Sequence, residues 1–562
     1  MWLINARTRL LEEFIGSEIP QYAILSHIWE AGQEVSFREI TSELRSGQKR
    51  GHWKIDQTCQ EALRDGLEYA WIDTCCIDKS SSAELSEAIN SMFRWYQCAS
   101  VCYVYFADLK HPVSDALATR CCRWFNRAWT LQELIAPRHI KFYAHDWRFC
   151  FSKEWESHNL SAITGINELV LNHKTPLSFV CVAQKMSWAR WRQATRIEDI
   201  AYSLLGIFDI NMPLLYGEGD KAFMRLQSEI IRSCPDLSIL AWAEKQDGLT
   251  TDTKVTDNMF STVLASSPNY FGGCHDFSTL PYRPIHEFSF SNRGISLRAK
   301  FDLQVIDSKP IITLPVCQTW TGVLAIKVRN IGGGLYVRQD PCNLAKTGFW
   351  EMENRIMLNP ILLTQLSPNR PQGKRYGWDT IRSLRHCGLQ VVLDSTWDIS
   401  CRWPWTHWDE VDRLFFGPRY PELGWAILKV KTDLPAEFVT EEGGSSLTVM
   451  LYVFGWAKRS SQPRGIILRI EDAASERALD DMNNTAVAKD WNASWILNQL
   501  AKNDVSEHAT ILIGTSLTKG KLLLMCEFVM VRDFNVCPNY FWRVSLTWKT
   551  VPKTQELHME DR

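Results

Sequence analysis

The chain has 562 residues, of which 45% are hydrophobic and 22% charged, enough apolar matter for about two to four folded domains. Lys plus Arg total 62 against 64 Asp plus Glu, a formal net charge of -2, so a protein built to grip nucleic-acid phosphates is disfavoured. Seventeen Cys without a single CxxC spacing argue against a zinc ribbon or a thioredoxin-like centre, no metal site is expected, and the adjacent pairs Cys75-Cys76 and Cys121-Cys122 make poor disulfide partners.

The first residues lack a long apolar signal-like core, and no run of 18 apolar residues occurs, so no transmembrane helix is expected. A reduced, cytoplasmic protein is the expectation, in which the sequons at Asn159, Asn483 and Asn492 carry no meaning.

Along the chain, Tyr22–Ser26, Tyr69–Asp73 and Val101–Phe106 are short apolar runs, each followed by polar loop residues, as buried strands are. Leu85, Ala88, Ile89, Met92, Phe93 and Tyr96 form one apolar helical stripe between the last two, and Ser81 with Glu84 gives it a capping start. Further helices are predicted over 53–65 and 122–135, the latter stopped by Pro137, with a fourth strand at Ile140–Tyr143. Strands alternating with helices imply βαβ units and a mainly parallel sheet. A helical extension over about 150–240 follows, with helices at 178–190, 196–207 and 217–233.

Residues 244–258 are polar and aperiodic, which predicts a linker between an α/β domain (1–243, core about 20–145) and a β-rich region (259–562). In that region Phe288–Phe290 and Ile295–Ala299 flank a Ser-Asn-Arg-Gly turn, the pattern of a hairpin. Strands are also predicted at Val323–Val328, Leu389–Leu393, Trp425–Lys429, Leu447–Phe454, Ile466–Ile470, Ile511–Ile513, Leu522–Val531 and Phe541–Trp548, in a sandwich- or barrel-like arrangement without sequence repeats.

Familiar catalytic motifs are absent. Gly514 with Gly520-Lys521 has the wrong spacing for a phosphate loop, and Gly217-Glu218-Gly219 is only half of a dinucleotide fingerprint. Geometry supplies the remaining candidates, because an open parallel sheet binds ligands outside the carboxyl ends of its strands. There stand Ser26 and His27, Asp73, and the wall Thr74-Cys75-Cys76-Ile77-Asp78-Lys79. Arg123, Arg127, Trp129 and Glu133 are assigned to the 122–135 helix, with Trp129 and Glu133 one turn apart on a shared face. A thiol mechanism with Cys76 activated by His27 is the lesser alternative.

The segments YAILSHIW (22–29), DGLEYAWIDTCCIDKSSSAELSEAINSMFRWY (65–96), RWFNRAWTLQELIAPRHIKFY (123–143) and TRIEDIAYSLLGIFDINMPLLYGEGDKAFMRLQSEII (195–231) together resemble the fungal heterokaryon-incompatibility (HET) domain. That resemblance implies a cell-death effector in fungal non-self recognition, acting with an unidentified incompatibility partner and through self-association. HET domains in turn look distantly like TIR domains, which implies a flavodoxin-like parallel sheet with added helices. The stretch Trp129-Thr-Leu-Gln-Glu133 is similar to the TIR pattern of Trp, Cys, two variable residues and the catalytic Glu, with Thr130 replacing Cys.

Carried onto this chain, the resemblance makes Glu133 catalytic in hydrolysis of NAD as substrate, with no resident cofactor. Ser26, His27, Trp29, Asp73, Cys76, Arg127 and Trp129 would line the substrate pocket, with Trp29 or Trp129 stacking on a base. The alternative is a non-enzymatic signalling adaptor that uses homotypic HET-domain contacts, with Trp129 and Glu133 as interface or core residues.

Overall fold

The computed structural model describes residues 1–244 except 17 and 43–48, residues 260–280, and beyond 287 a series of strands and short connections reaching Val551. Its first unit is built on a seven-stranded sheet of order β2-β1-β4-β3-β5-β6-β7. These strands are β1 (Trp2–Asn5), β2 (Leu11–Glu13), β3 (Tyr22–His27), β4 (Tyr69–Trp71), β5 (Val101–Tyr105), β6 (Ile140–Tyr143) and β7 (Phe149–Ser152). The neighbours β4-β3-β5-β6 run parallel, while β1, β2 and β7 add antiparallel edges that sequence reasoning missed.

Every residue of β3 and of β5 is buried, which is why both read as unbroken apolar runs rather than alternating ones. Crossovers cover the faces: α1 (Phe37–Thr41) and α2 (Arg50–Arg64) between β3 and β4, and α3 (Ser82–Cys98) between β4 and β5. Ser81 caps α3 by accepting the Glu84 amide at 3.3 Å. The capping box is not closed, because the Glu84 carboxylate accepts the Asp78 amide at 2.9 Å instead and ties the loop after Asp73 to the helix.

The predicted 122–135 helix is two pieces. A short 3-10 turn spans Arg123–Asn126, and α4 covers only Thr130–Ile135. Between them Arg127 turns extended (φ -80°, ψ 139°) and pairs with Gln193. The Ala128 amide donates to the Gln193 carbonyl at 2.8 Å and the Gln193 amide to Asn126 at 2.6 Å. A long-range backbone pairing has replaced the helix's own hydrogen bonds, and Trp129 sits at the N-cap of α4 rather than one face-sharing turn inside a helix.

The helical extension contains α5 (Lys153–Thr164), α6 (Glu168–Leu171), α7 (Val182–Trp188), α8 (Asp199–Tyr202), α9 (Leu205–Phe208) and α10 (Lys221–Ser233), several shorter than predicted. In α9, Gly206 lies against α3: a Cβ there would stand 2.0 Å from Phe93 Cβ and 2.5 Å from its Cγ. Glycine alone permits this approach, so Gly206→Ala is expected to destabilise the domain by about 3 kcal/mol, read as a lower urea midpoint with unchanged slope.

Packing continues past the α/β unit. Gln184 donates to the His275 carbonyl at 2.7 Å, Trp242 Nε1 to Val263 at 2.9 Å, and Gln227 bonds Ala265 through both its amide nitrogen and its carbonyl. One apolar core runs from Leu3 to Tyr336. The predicted linker lies, apart from Glu244, outside the described residues.

The later region is mainly β, with sheets of eight, six and four strands among the described residues. Phe288–Ser291 and Gly294–Ile306 pair antiparallel as the expected hairpin, and each of the other predicted strands overlaps an observed one. Gly514 and Gly520 belong to consecutive antiparallel strands, with Ser516 opposite Gly520, so the strand–loop–helix of a phosphate loop is not formed. No helix among the described residues is long and apolar enough to cross a membrane.

Candidate active site at the carboxyl ends of the parallel strands

Strand β3 lies where the strand order reverses, with β4 on one side and β5 on the other, the position at which open α/β sheets bind ligands beyond the strand ends. Its last two residues are Ser26 and His27, and strand alternation sends them to opposite faces.

Ser26 meets α4. Its hydroxyl accepts a hydrogen bond from Trp124 Nε1 at 2.8 Å and donates to Glu133 Oε2. Trp124 is fully buried and Glu133 is buried. Tyr96 of α3 is a further hydrogen-bond neighbour of Glu133, while its own hydroxyl donates to the Leu25 carbonyl at 3.0 Å. Ser26 of β3 and Tyr96 of α3 thus meet the carboxyl group that α4 supplies, and Trp124 of the 3-10 turn supports it through Ser26.

Burial pushes Glu133 up to about 8. The hydrogen bond from Ser26 pulls down, the negative charge of Asp73 adds to the rise, and Arg127 and Tyr96 oppose it. Near neutral pH the resting site therefore holds largely a protonated acid.

On the other face of β3, His27 Nε2 lies 3.2 Å from Asp73 Oδ1, and Trp29 Nε1 donates to Asp73 Oδ2 at 2.8 Å. Burial alone would raise Asp73, but the hydrogen bond with His27, the Lys79 ammonium and the Trp29 N–H outweigh it and hold the carboxyl below its usual range. Trp29 remains 47% exposed, with Lys79 Nζ 3.7 Å from its ring centre. It is a fixed aromatic platform whose polar edge is anchored on Asp73. Two carboxyl groups with opposite protonation preferences therefore stand at the strand ends, close enough for the charge of Asp73 to act on Glu133.

The remaining sequence candidates fall elsewhere. Trp129 hydrogen-bonds Asp199, on the side formed by residues 195–199. Arg127 is half-buried, reaches Thr195 Oγ1 at 3.5 Å and acts on Glu133 through its charge. Cys76 is 2% exposed and its sulfur accepts the Ile72 amide at 3.3 Å. His27 spends both ring nitrogens on Lys54 and Asp73, so the His27-activated thiol has no base. Arg123 pairs with Asp108 on an exposed flank. The amides of Gly217 and Gly219 donate to the Glu198 carboxylate at 2.7 and 3.0 Å, so that loop is filled by the chain's own anion rather than shaped for a phosphate.

Sequence reasoning missed Trp124, Tyr96, Lys54 and Arg192. Arg192 is buried, and its guanidinium donates to the Arg127 carbonyl at 2.8 Å and to Thr130 Oγ1 at 3.0 Å, holding the turn that starts α4. Lys54 had a legible signal. The buried residues of α2 include Gly51, Lys54, Ile55, Thr58, Cys59 and Ala62, so a lysine stands in the middle of the inward stripe. Among the described residues, no group of three or more His, Cys, Asp and Glu is arranged to hold a metal ion.

The family model described as heterokaryon incompatibility protein (HET) matches residues 22–121, so the match covers Ser26, His27 and Asp73 and ends before Glu133. A second model, a domain of unknown function (DUF8212), matches residues 221–297. Over 258 residues the chain is 42% identical to the vegetative incompatibility protein HET-E-1 of Podospora anserina, covering 44% of this chain and 18% of that protein. The matched portion thus spans less than a fifth of that relative's length. No solved structure matches the chain.

Proposed function

We propose that this chain, which carries a HET domain, is a cytoplasmic effector of fungal incompatibility whose α/β unit hydrolyses NAD at the nicotinamide–ribose bond. The observation that carries the reading is the buried Glu133 carboxyl, joined to Ser26 at the strand-order reversal and facing the field of Asp73. The four parallel strands follow the order second, first, third, fourth, which is that of flavodoxin-like sheets and agrees with a TIR-like core.

The chemistry fits the residues. Cleavage passes through an oxocarbenium-like ribose, and nicotinamide departs from a cationic pyridinium as a neutral molecule, so the leaving group needs no proton. An ionised Glu133 beside the ribose then stabilises the developing charge in a site with little water. The cationic ring of NAD itself lowers the pKa of Glu133 when it binds, which favours the oxidised dinucleotide over its uncharged reduced form. Trp29 offers a stacking face, and Ser26 keeps the carboxyl in place. Self-association of the α/β unit completes the active state.

Purified full-length protein, alone and fused to a dimerising or oligomerising tag, is incubated with NAD and assayed for released nicotinamide. Release is expected in the clustered form. Because only the ionised Glu133 acts and the free site titrates near 8, kcat/KM should climb through pH 7–9, half-maximal near 8, and level off above. No release in either state between pH 6 and 9 would overturn the hydrolase reading and leave the adaptor.

A further inference from the structure

Behind Asp73 lies a chain of buried charges that the proposed reaction does not use. Lys54 is 1% exposed, and its ammonium contacts Glu34 Oε1 at 2.6 Å, the Ile28 carbonyl at 3.3 Å and His27 Nδ1 at 3.3 Å. Glu30 Oε1 lies 3.8 Å away. On its other side, the His27 ring meets Asp73 through Nε2. The His27 side chain is 1% exposed, so solvent does not compete for either nitrogen.

We infer that Lys54 is a positioning residue: its ammonium fixes the tautomer of His27, which in turn holds Asp73 as an oriented anion that accepts a sugar hydroxyl. The inference deepens the proposed NAD-hydrolase reading and rests on it for the ligand, though not for the tautomer. An ammonium has donors only, so Nδ1 must present its lone pair, and the single ring proton then resides on Nε2 and points at Asp73 Oδ1. The groups facing the ring are Lys54 from α2, Glu34 from the segment after β3 (4.0 Å from Nδ1) and Asp73 from the loop after β4.

A carboxylate offers about four lone-pair positions. His27 and Trp29 take one on each oxygen of Asp73, and the side chain keeps 20% of its surface exposed. The remaining lone pairs suit a hydroxyl donor such as those of a ribose. Lys54 touches no ligand in this scheme and works through His27 alone.

Histidine-specific ¹⁵N NMR of the full chain tests this without any catalytic assay, with the His27 signals identified by their loss in His27→Gln. At pH 7.5 the expected result is a neutral ring with Nδ1 unprotonated and Nε2 protonated. A protonated Nδ1 in the wild type would overturn the proposal, whatever becomes of NAD hydrolysis. Lys54→Met should move His27 toward a mixture of tautomers, and Lys54→Arg should keep the wild-type pattern; a folded Lys54→Met with unchanged shifts would also overturn it. In the clustered enzyme, Lys54→Met is expected to lower kcat/KM about tenfold with the plateau of the pH profile depressed, and Lys54→Arg to restore part of it. If NAD is not cleaved, the NMR outcome still decides the tautomer, while the failed assay counts against the hydrolase alone.

Discussion

Glu133→Gln is expected to lower nicotinamide release by about 10³-fold while making the protein more stable above pH 8. The two effects share one cause. The fold removes this carboxyl from water, and its pKa rises to about 8 from an ordinary 4.5. A carboxyl whose folded-state value is raised binds more protons in the native than in the unfolded state between those limits, so stability falls as pH climbs from about 4.5 to 8 and the full penalty applies above. At about 1.4 kcal/mol per pKa unit, that penalty is on the order of several kcal/mol.

Glutamine is isosteric, still accepts from Ser26, and carries no charge to desolvate. Melting curves at pH 5 and pH 9 should therefore diverge: near-equal Tm at the lower pH, and a Tm higher by several degrees for the variant at the upper. Equal melting at both pH values would mean that Glu133 is already ionised at little cost, and the electrostatic account of the site would fall. Toxicity retained by a folded Glu133→Gln variant would favour the adaptor. Because the variant is expected to fold better than the parent, lost toxicity cannot be blamed on collapse of the domain.

Much of this site was readable because two simple regularities hold. Strands buried on both faces are continuous apolar runs, so β3, β4 and β5 stand out, and the residues at and just after their carboxyl ends fall at the ligand-binding edge. That places Ser26, His27 and Asp73. Glu133 was reached through the resemblance of its surroundings to TIR sequences, since no periodicity marks it: all six residues of α4 are buried, leaving no polar face to betray an inward acid.

The unreadable part is non-local. Whether residues 127–129 continue a helix depends on Gln193 arriving from far along the chain, and local propensity carries no trace of that partner. The buried partners Trp124 and Tyr96 look like ordinary core aromatics in sequence; only their polar edges, aimed at Ser26 and Leu25, set them apart.

Replacing Arg338 with Ala is expected to cost about 3–5 kcal/mol and to split thermal unfolding into two steps. Arg338 is 1% exposed on a strand (Leu335–Gln339) of the eight-stranded sheet, yet it serves the α/β side of the junction. Its guanidinium donates to the Leu240 carbonyl at 2.9 Å and to that of Trp242, and stands 3.7 Å from the centre of the Trp242 ring. Burial pushes this arginine down to about 9. Truncation leaves two buried carbonyls without donors and an aromatic face without its cation.

Lysine keeps the charge but not the fork, so Arg338→Lys should recover only part of the loss. Calorimetry and hydrogen exchange read the result: exchange at residues 237–243 should rise in Arg338→Ala, while β3 and β5 stay protected. The junction bears on the active site through a second contact. Arg190 donates to the Gly272 carbonyl at 2.9 Å, and two residues on Arg192 grips Arg127 and Thr130 at the start of the helix that carries Glu133. Residues 190–192 therefore link Gly272 to the turn that starts the helix carrying Glu133. An Arg338→Ala protein whose unfolding remains single-step and unshifted would show that the two parts hold together without this arginine.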